Sequence, residues 1–454
     1  MKKKGTIDLT KGNIPIQILQ VAVPILLGQV FQNLYNSVDS IVVGNFVGTT
    51  ALAAVSSCAD ISNLLIGFFT GLSLGAGVLF SQCFGARDNE KLHRSIHTAL
   101  LFAAIVGVAM AAIGILLTPV LLDLVNCPDD VYPEASVYLR IYLVGIFFTS
   151  VYNVASGVLR ALGDTKRPLY YLIVASCCNI FLDLVLVAVL PMGVAGVAIA
   201  TVVSQLASCI LIFRKMLTTE DAYRLVPKDL RIDRQIMKDV VRLGLPTAIG
   251  GGVVSFSNLI VQRYINAFGS TAMAGIGAAK KIDKYISEFS QAMGHATPVF
   301  VGQNVGAGNY DRAARSIRWA LCIGIFCVIL VGIPVYIFAP QMISIFIRDP
   351  GAIVYGVKML RVLIPLYFCL AFHQVFSNAI RGYGHSTAAM IFSMTGLIGI
   401  RQLFLYVSMQ LSNDPVNIFA SFPVGWGSSG LLCVLFYLFF VKRRLRKKQS
   451  PFRL

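Results

Sequence analysis

Residues 81–96, SQCFGARDNEKLHRSI, recur 221 positions later as residues 302–317, GQNVGAGNYDRAARSI. The same offset lays GTTALAAVS (48–56) on GSTAMAGIG (269–277) and LRALGDT (159–165) on IRGYGHS (380–386). Identities at Gly48/Gly269, Gln82/Gln303, Gly85/Gly306, Arg94/Arg315, Arg160/Arg381 and Gly163/Gly384 keep that register without a gap. Three segments in one register point to a duplicated chain.

Hydropathy decides what has been duplicated. Of 454 residues, 56% are hydrophobic and 13% charged, with a mean hydropathy of +0.75, a balance foreign to soluble domains. A helix needs roughly 20 apolar residues to cross a bilayer. Polar and Gly/Pro punctuation leaves twelve such runs: 15–43, 51–81, 96–121, 135–159, 168–190, 194–213, 243–267, 272–301, 316–339, 358–380, 387–409 and 425–441. The expected fold is an all-α integral membrane protein with twelve transmembrane helices in two six-helix lobes. The N-terminal lobe covers 1–213, a cytoplasmic linker 214–242, the C-terminal lobe 243–441 and a basic tail 442–454. An even number of crossings per half relates the lobes by a pseudo-twofold axis along the membrane normal, with the substrate cleft between them. The linker segment RIDRQIMKDVVRLG reads either as a helix lying on the membrane surface or as a charged, solvated connection.

A net charge of +17 would suit a nucleic-acid partner, but the placement of the charge argues otherwise. With the N-terminus inside, most of the 38 Lys and Arg fall at the leader, at 87–94, 160–167, 214–242 and 312–318, and in the tail. That is the positive-inside pattern, with both termini cytoplasmic in a cell membrane. The leader KKKGTIDLTKG lacks a small-residue cleavage site, so the first span is expected to be its own targeting signal. The ten cysteines are scattered without metal-type spacing and read as free thiols.

Within FQNLYNSVDSIVVGN (31–45) sits Asp39, and from Ile14 to Gly44 the only other ionisable side chain is Tyr35. At about 1.5 Å per residue, Asp39 lies roughly 8 Å below the outer end of the first helix and Asp183 roughly 10 Å below that of the fifth. Asn179 is one turn from Asp183 on the same face, and Thr201 enters on the sixth helix roughly 12 Å down. Four polar side chains thus meet at one level of the first lobe. Burial disfavours a charged carboxylate, and two in one pocket disfavour each other. The pair is therefore suited to a proton, or to a sodium ion with Asn179 and Thr201 as neutral oxygen ligands. No other metal site is expected. Pro24 and Pro246, at nearly equivalent places in the first and seventh helices, each remove a backbone hydrogen bond and permit a bend.

The second lobe does not repeat these acids: Asp39 maps onto Ile260, Asn179 onto Ile400 and Asp183 onto Phe404. It carries Arg263, Lys280, Lys281, Lys284, Arg361 and Arg401 at membrane depth, with Asp283 and Glu288 as candidate partners. This basic set reads either as a path for anionic groups or as snorkelling and internal pairing. Tyr35, Asp60, Lys281 and Arg263 are candidates for lining the cleft. Asp60 maps onto Lys281, which raises an ion-pair latch that forms when the outer side closes.

With these residues in view, the chain resembles the multidrug and toxic compound extrusion (MATE) family, in its DinF-like bacterial and archaeal branch. The resemblance rests on LTKGNIPIQIL, VPILLGQVFQNLYNSVDSIVVG, SQCFGARD, GQNVGAGN and RALGDTKRP. It implies a two-lobed antiporter exporting amphipathic, often cationic, compounds against protons or sodium. It also implies ion coupling at Asp39, Asn179, Asp183 and Thr201, with Asn153 as a further pocket residue. No cofactor, enzymatic activity or nucleic-acid partner is expected; small-molecule substrates and the bilayer are, for a monomer. The alternative is a lipid-linked oligosaccharide flippase of the same superfamily, favoured by the cationic second lobe and disfavoured by the helix count and the acidic first lobe.

Overall fold

The computed structural model describes residues 6–443 apart from Asn126, with the backbone alone at Asp60 and Val253. Two expectations therefore lie outside the described residues: the basic tail from 444 onward, and the side chain of the Asp60 latch. Among the described residues twelve long helices follow one another: α1 (Ile14–Phe46), α2 (Thr49–Ala86), α3 (Asn89–Leu116), α4 (Tyr132–Ala161), α5 (Lys166–Val189), α6 (Gly193–Thr218), α7 (Arg234–Asn266), α8 (Gly269–Gly306), α9 (Tyr310–Ile337), α10 (Pro350–Gly382), α11 (Ser386–Leu411) and α12 (Pro415–Val441). There is no strand among them. Eleven of these helices are long and apolar enough to cross a membrane. The remaining one, α8, has the length, at 38 residues, but carries Lys280, Lys281, Asp283, Lys284 and Glu288 along its middle.

Several helices start earlier than hydropathy alone places them. α3 begins at Asn89 because the Asp88 carboxylate accepts from the Lys91 amide. α10 begins at Pro350, capped by Asp349, and α12 at Pro415, capped by Asp414. An acidic cap, with proline at the first helical position in the last two, extends each helix beyond its apolar stretch. The repeated glycines mark turns: Gly48 and Gly269 have φ of 117° and 84°, Gly163 and Gly384 of 84° and 90°. A side chain would strain the backbone there, which accounts for identity at these positions across the duplication.

The chain forms two compact units, Met1–Asp8 with Leu27–Ala248, and Leu9–Leu26 with Ile249–Leu454. The division differs from a cut at 213 and 243, because α1 and α7 each belong to both units and change membership just past Pro24 and Pro246. The connection between α6 and α7 is also shorter than 214–242. Within RIDRQIMKDVVRLG, residues 231–233 lie just before α7 and the residues from Arg234 onward supply its opening turns.

Packing explains why the start of α7 belongs to the first unit. Ile236, Val240 and Leu243 are buried in the same core as Leu92, Ile96 and Ile212. Further along, α7 crosses the GLSLG stretch of α2 backbone to backbone. A Cβ on Gly75 would lie 2.3 Å from the Gly244 Cα, and one on Gly71 would lie 2.6 Å from the Ala248 Cα. Small residues four apart allow this close approach, which membrane helices use where apolar burial gives no driving force.

The segment before α7 is docked by polar contacts on the same unit. Arg94 bonds Asp233 and holds its carboxyl below the usual carboxylate range, while Asp233 caps α7 through the amides of Gln235 and Ile236. The Val226 amide donates to His97 Nε2 at 3.0 Å, and Arg167 donates to the buried Tyr223 hydroxyl at 3.0 Å. In the second unit the leader is held similarly. The Leu9 amide donates to Gln303 Oε1 at 3.0 Å, and Arg312 donates to the carbonyls of Leu9, Lys11 and Gly12 at 2.8 to 3.0 Å. By the 221-residue register, Leu9–Gly12 correspond to Leu230–Asp233, so each half presents the same segment for docking.

The glycine crossing gives a direct test. Gly75→Val should lower the thermal unfolding midpoint in detergent, at a cost of about 1–3 kcal/mol or more for forced overpacking. Gly67→Val, on the same helix with open space around its Cβ, should leave the midpoint near that of the parent.

Candidate functional site

The first unit gathers its acids on α1 and α5. Asp39 is 9% exposed and Asp183 is fully buried, and their carboxyl groups face one another within hydrogen-bonding reach. Two bare carboxylates have no donor to share. Accordingly, both Asp183 oxygens and Asp39 Oδ1 are buried without a partner. Asn179, one turn before Asp183, is 1% exposed, and both its amide oxygen and nitrogen are unpartnered as well. Buried polar atoms are nearly always satisfied, so this concentration of orphans marks a place prepared for something else to bind.

Local backbone geometry helps place it. Immediately after Asp183, α5 widens into a π-helical turn over Leu184–Val189, in which the Leu190 amide reaches back to the Val185 carbonyl at 2.9 Å. Such insertions occur often at functional sites because they re-aim the preceding side chains. Thr201, on α6, is buried at 7% exposure, with its hydroxyl donating to the Val197 carbonyl at 3.1 Å. That bond uses its only proton and leaves lone pairs available. The two facing carboxylates, with Asn179 one turn from Asp183, form an oxygen-rich set. It suits a proton or a hard monovalent cation. Among the described residues, no group of three or more His, Cys, Asp or Glu side chains is placed to hold a metal ion.

Tyr35 stands within electrostatic reach of Asp39, Asp183 and Tyr142. Tyr138 and Tyr142 of α4 stack with ring centroids 6.0 Å apart; Tyr138 is within electrostatic reach of Asp39, and Tyr142 of Tyr35. The sequence reading missed these two tyrosines. Their spacing of four along α4 puts them on one face, which is the signal that finds them. Asn153 donates from Nδ2 to the Thr149 carbonyl of its own helix at 2.9 Å.

Among the basic residues of the second unit, Lys280 and Arg401 are within electrostatic reach of one another. Arg263 is exposed. Lys281, also exposed, lies 5.4 Å above the Phe346 ring and does not pair with Asp283, which instead accepts from the Tyr367 hydroxyl. Arg361 lies 6.0 Å from the Tyr336 ring. His373 bonds Ser429 at 2.8 Å as a packed, satisfied histidine.

A profile of the family described as MatE matches residues 24–185 and, a second time, 246–407. The chain belongs to the MatE family. The two matches start at Pro24 and Pro246, so each half of this MatE chain is one copy of the family's repeat. It is 29% identical over 434 residues to the probable multidrug resistance protein YoeA of Bacillus subtilis, covering 93% of each chain. It is 27% identical over 397 residues to the probable multidrug resistance protein YpnP of the same organism, covering 87% of this chain and 89% of that one. Its fold matches the outward-facing structure of a multidrug resistance MATE family transporter of the MOP superfamily. The TM-score is 0.91 at 23% identity, over 98% of this chain and all of the other. This MatE chain is therefore a multi-pass membrane transporter by family, with the fold of that structure.

The orphaned amide separates a binding role from a structural one. Asn179→Leu removes polar atoms that have no partner, so the thermal midpoint should hold or rise, by the equivalent of about 1–3 kcal/mol at most. A clear drop would mean that Asn179 has a structural partner.

Proposed function

We propose that the protein is a secondary active multidrug exporter of the DinF-like branch. It moves amphipathic, often cationic, compounds outward in exchange for protons or sodium ions by alternating access. The observation that carries this reading is the facing Asp39–Asp183 pair, buried and without a donor.

The chemistry follows from that pair. Two facing carboxylates away from water repel each other, and neither oxygen of Asp183 has a compensating hydrogen bond. A proton shared between them, or a sodium ion held with Asn179 and Thr201, relieves both costs at once. Whichever conformation closes the pocket therefore favours the loaded state, and whichever opens it lets the ion leave. A ligand shifts such an equilibrium by its differential affinity for the two forms. The tyrosines Tyr35, Tyr138 and Tyr142 give the same region an aromatic wall suited to cationic, amphipathic substrates. Pro24, within α1 and between Asp39 and the start of the helix, supplies a position at which the helix can change shape. Asp60, Lys281, Arg263 and Asn153 remain cleft candidates in this reading.

Both termini are assigned to the cytoplasm, supported by the Lys and Arg at 87–94, 160–167 and 214–242. The protein then lies in the cell membrane with the carboxylate pair in its outer half.

In proteoliposomes, Asp39→Asn should insert and unfold like the parent but lose gradient-driven export to the level of protein-free vesicles. Normal export by this variant would sink the coupling assignment. Imposing a pH gradient or a sodium gradient separately on the parent identifies the ion.

Topology is checked independently of substrate. In a background without the ten native cysteines, a membrane-impermeant thiol reagent should label a cysteine placed at Asp129 in intact cells, and one at Asn89 or Asp229 only after permeabilisation. The reverse pattern would invert the orientation.

A further inference from the structure

Among the described Lys and Arg of the second unit, Arg401 stands apart because it is buried, at 2% exposure, without a carboxylate bonded to it. It is the first residue after a π-helical turn of α11, Thr395–Ile400. Its stem passes over Gly425 of α12, where an added Cβ would come within 3.2 Å of Arg401 Cβ and Cδ. The place is therefore shaped for this side chain. Its guanidinium carbon lies 4.1 Å from the centroid of the Phe422 ring, which offsets part of the cost of the charge.

The hydrogen bonding of the guanidinium is one-sided. Nη1 donates to Asn258 Oδ1 at 2.9 Å, while Nε and Nη2 are both buried and unpartnered. Nε–H and Nη2–H form one edge of the planar group, the parallel fork that accepts a carboxylate or phosphate bidentately. A second cation stands beside it. Lys280 of α8 is within electrostatic reach of Arg401, and its Nζ donates to Gln262 Oε1 at 2.6 Å. Asp283, which also faces Lys280, is engaged by Tyr367. Asn258 is exposed, and Lys280 and Gln262 are half-buried, so the cluster opens outward through these three residues.

We propose that the second unit binds an oxyanionic group, carboxylate or phosphate, on the Nε–Nη2 edge of Arg401, with Lys280 as the second cation. The group belongs either to an anionic or zwitterionic solute or to a lipid headgroup. An unpaired buried charge is costly, and a bound oxyanion removes that cost. The site extends the range of ligands beyond the cationic compounds proposed above, and it does not depend on the coupling role of Asp39.

The test is binding by the full-length protein, purified and delipidated in uncharged detergent. Thermal unfolding is followed against benzoate, inorganic phosphate and short-chain phosphatidylglycerol, with chloride at matched ionic strength as control. The parent should show a saturable rise in midpoint with at least one oxyanion. Arg401→Gln should show none, and without ligand should unfold no earlier than the parent. Lys280→Gln should weaken binding about tenfold, as expected for one charge-assisted hydrogen bond. A response to benzoate or phosphate assigns the site to a solute, and a response to phosphatidylglycerol alone assigns it to lipid. Asp39→Asn should keep the response, which separates this outcome from that of the export reading. No saturable shift, or an equal shift in Arg401→Gln, overturns the proposal. Should Arg401→Gln not accumulate, Arg401→Lys decides, since it keeps the charge and loses the fork; unchanged affinity in that variant overturns the proposal equally.

Discussion

In the hydrocarbon region of a bilayer there is no water to satisfy a polar atom that the protein leaves unpaired, and this constraint shapes both the fold and its sites. The backbone answers it by forming helices, in which every N–H and C=O is bonded within its own segment. Serine and threonine hydroxyls answer it by donating to carbonyls of their own helix, as Thr201 does to Val197 and Thr247 to Leu243. Against that background, side chains left without partners are conspicuous. Asp39, Asn179 and Asp183 in one unit and Arg401 in the other are among the groups whose buried polar atoms have no partner, and in each of these places more than one such atom is concentrated.

The duplicated architecture uses one device with opposite charge. In α5 an aspartate immediately precedes a π-helical turn; in α11 an arginine immediately follows one. Both turns interrupt the ordinary helical register where a charged group has to be aimed inward. The first unit surrounds its acids with tyrosines, whereas the second places its cation over Phe422 and beside Gly425. The duplication thus preserved the scaffold and let the chemistry diverge, because helix packing depends on small residues and turns while the inward charges do not determine it.

The same division of labour appears where the two halves begin. The leader is fastened by Arg312 and Gln303, the segment before α7 by Arg94, His97 and Thr98. Each fastening acts on the segment just before a long helix that changes unit past a proline. α1 and α7 are therefore anchored at their starts by polar bonds and, for α7, by the glycine crossing on α2. The coupling residue Asp39 lies on the far part of α1, beyond Pro24.

The sequence by itself determined the number and kind of elements and the duplication, because hydrophobic length, period and charge are local properties. It did not reach the early starts of α10 and α12, since a capping aspartate followed by proline lies outside an apolar window. Nor did it reach the sharing of α1 and α7 between two units, to which, for α7, Gly71 and Gly75 meeting Gly244 and Ala248 across distant parts of the chain contribute. At the sites, sequence placed the two acids at one level, and only the fold brought their carboxyl groups face to face and set Tyr138 and Tyr142 beside them. Arg401 was legible as one of six basic residues at membrane depth. What distinguishes it from Lys281 and Arg361 is that they are exposed while it is buried with one edge of its guanidinium unpartnered, and that is a property of packing in three dimensions.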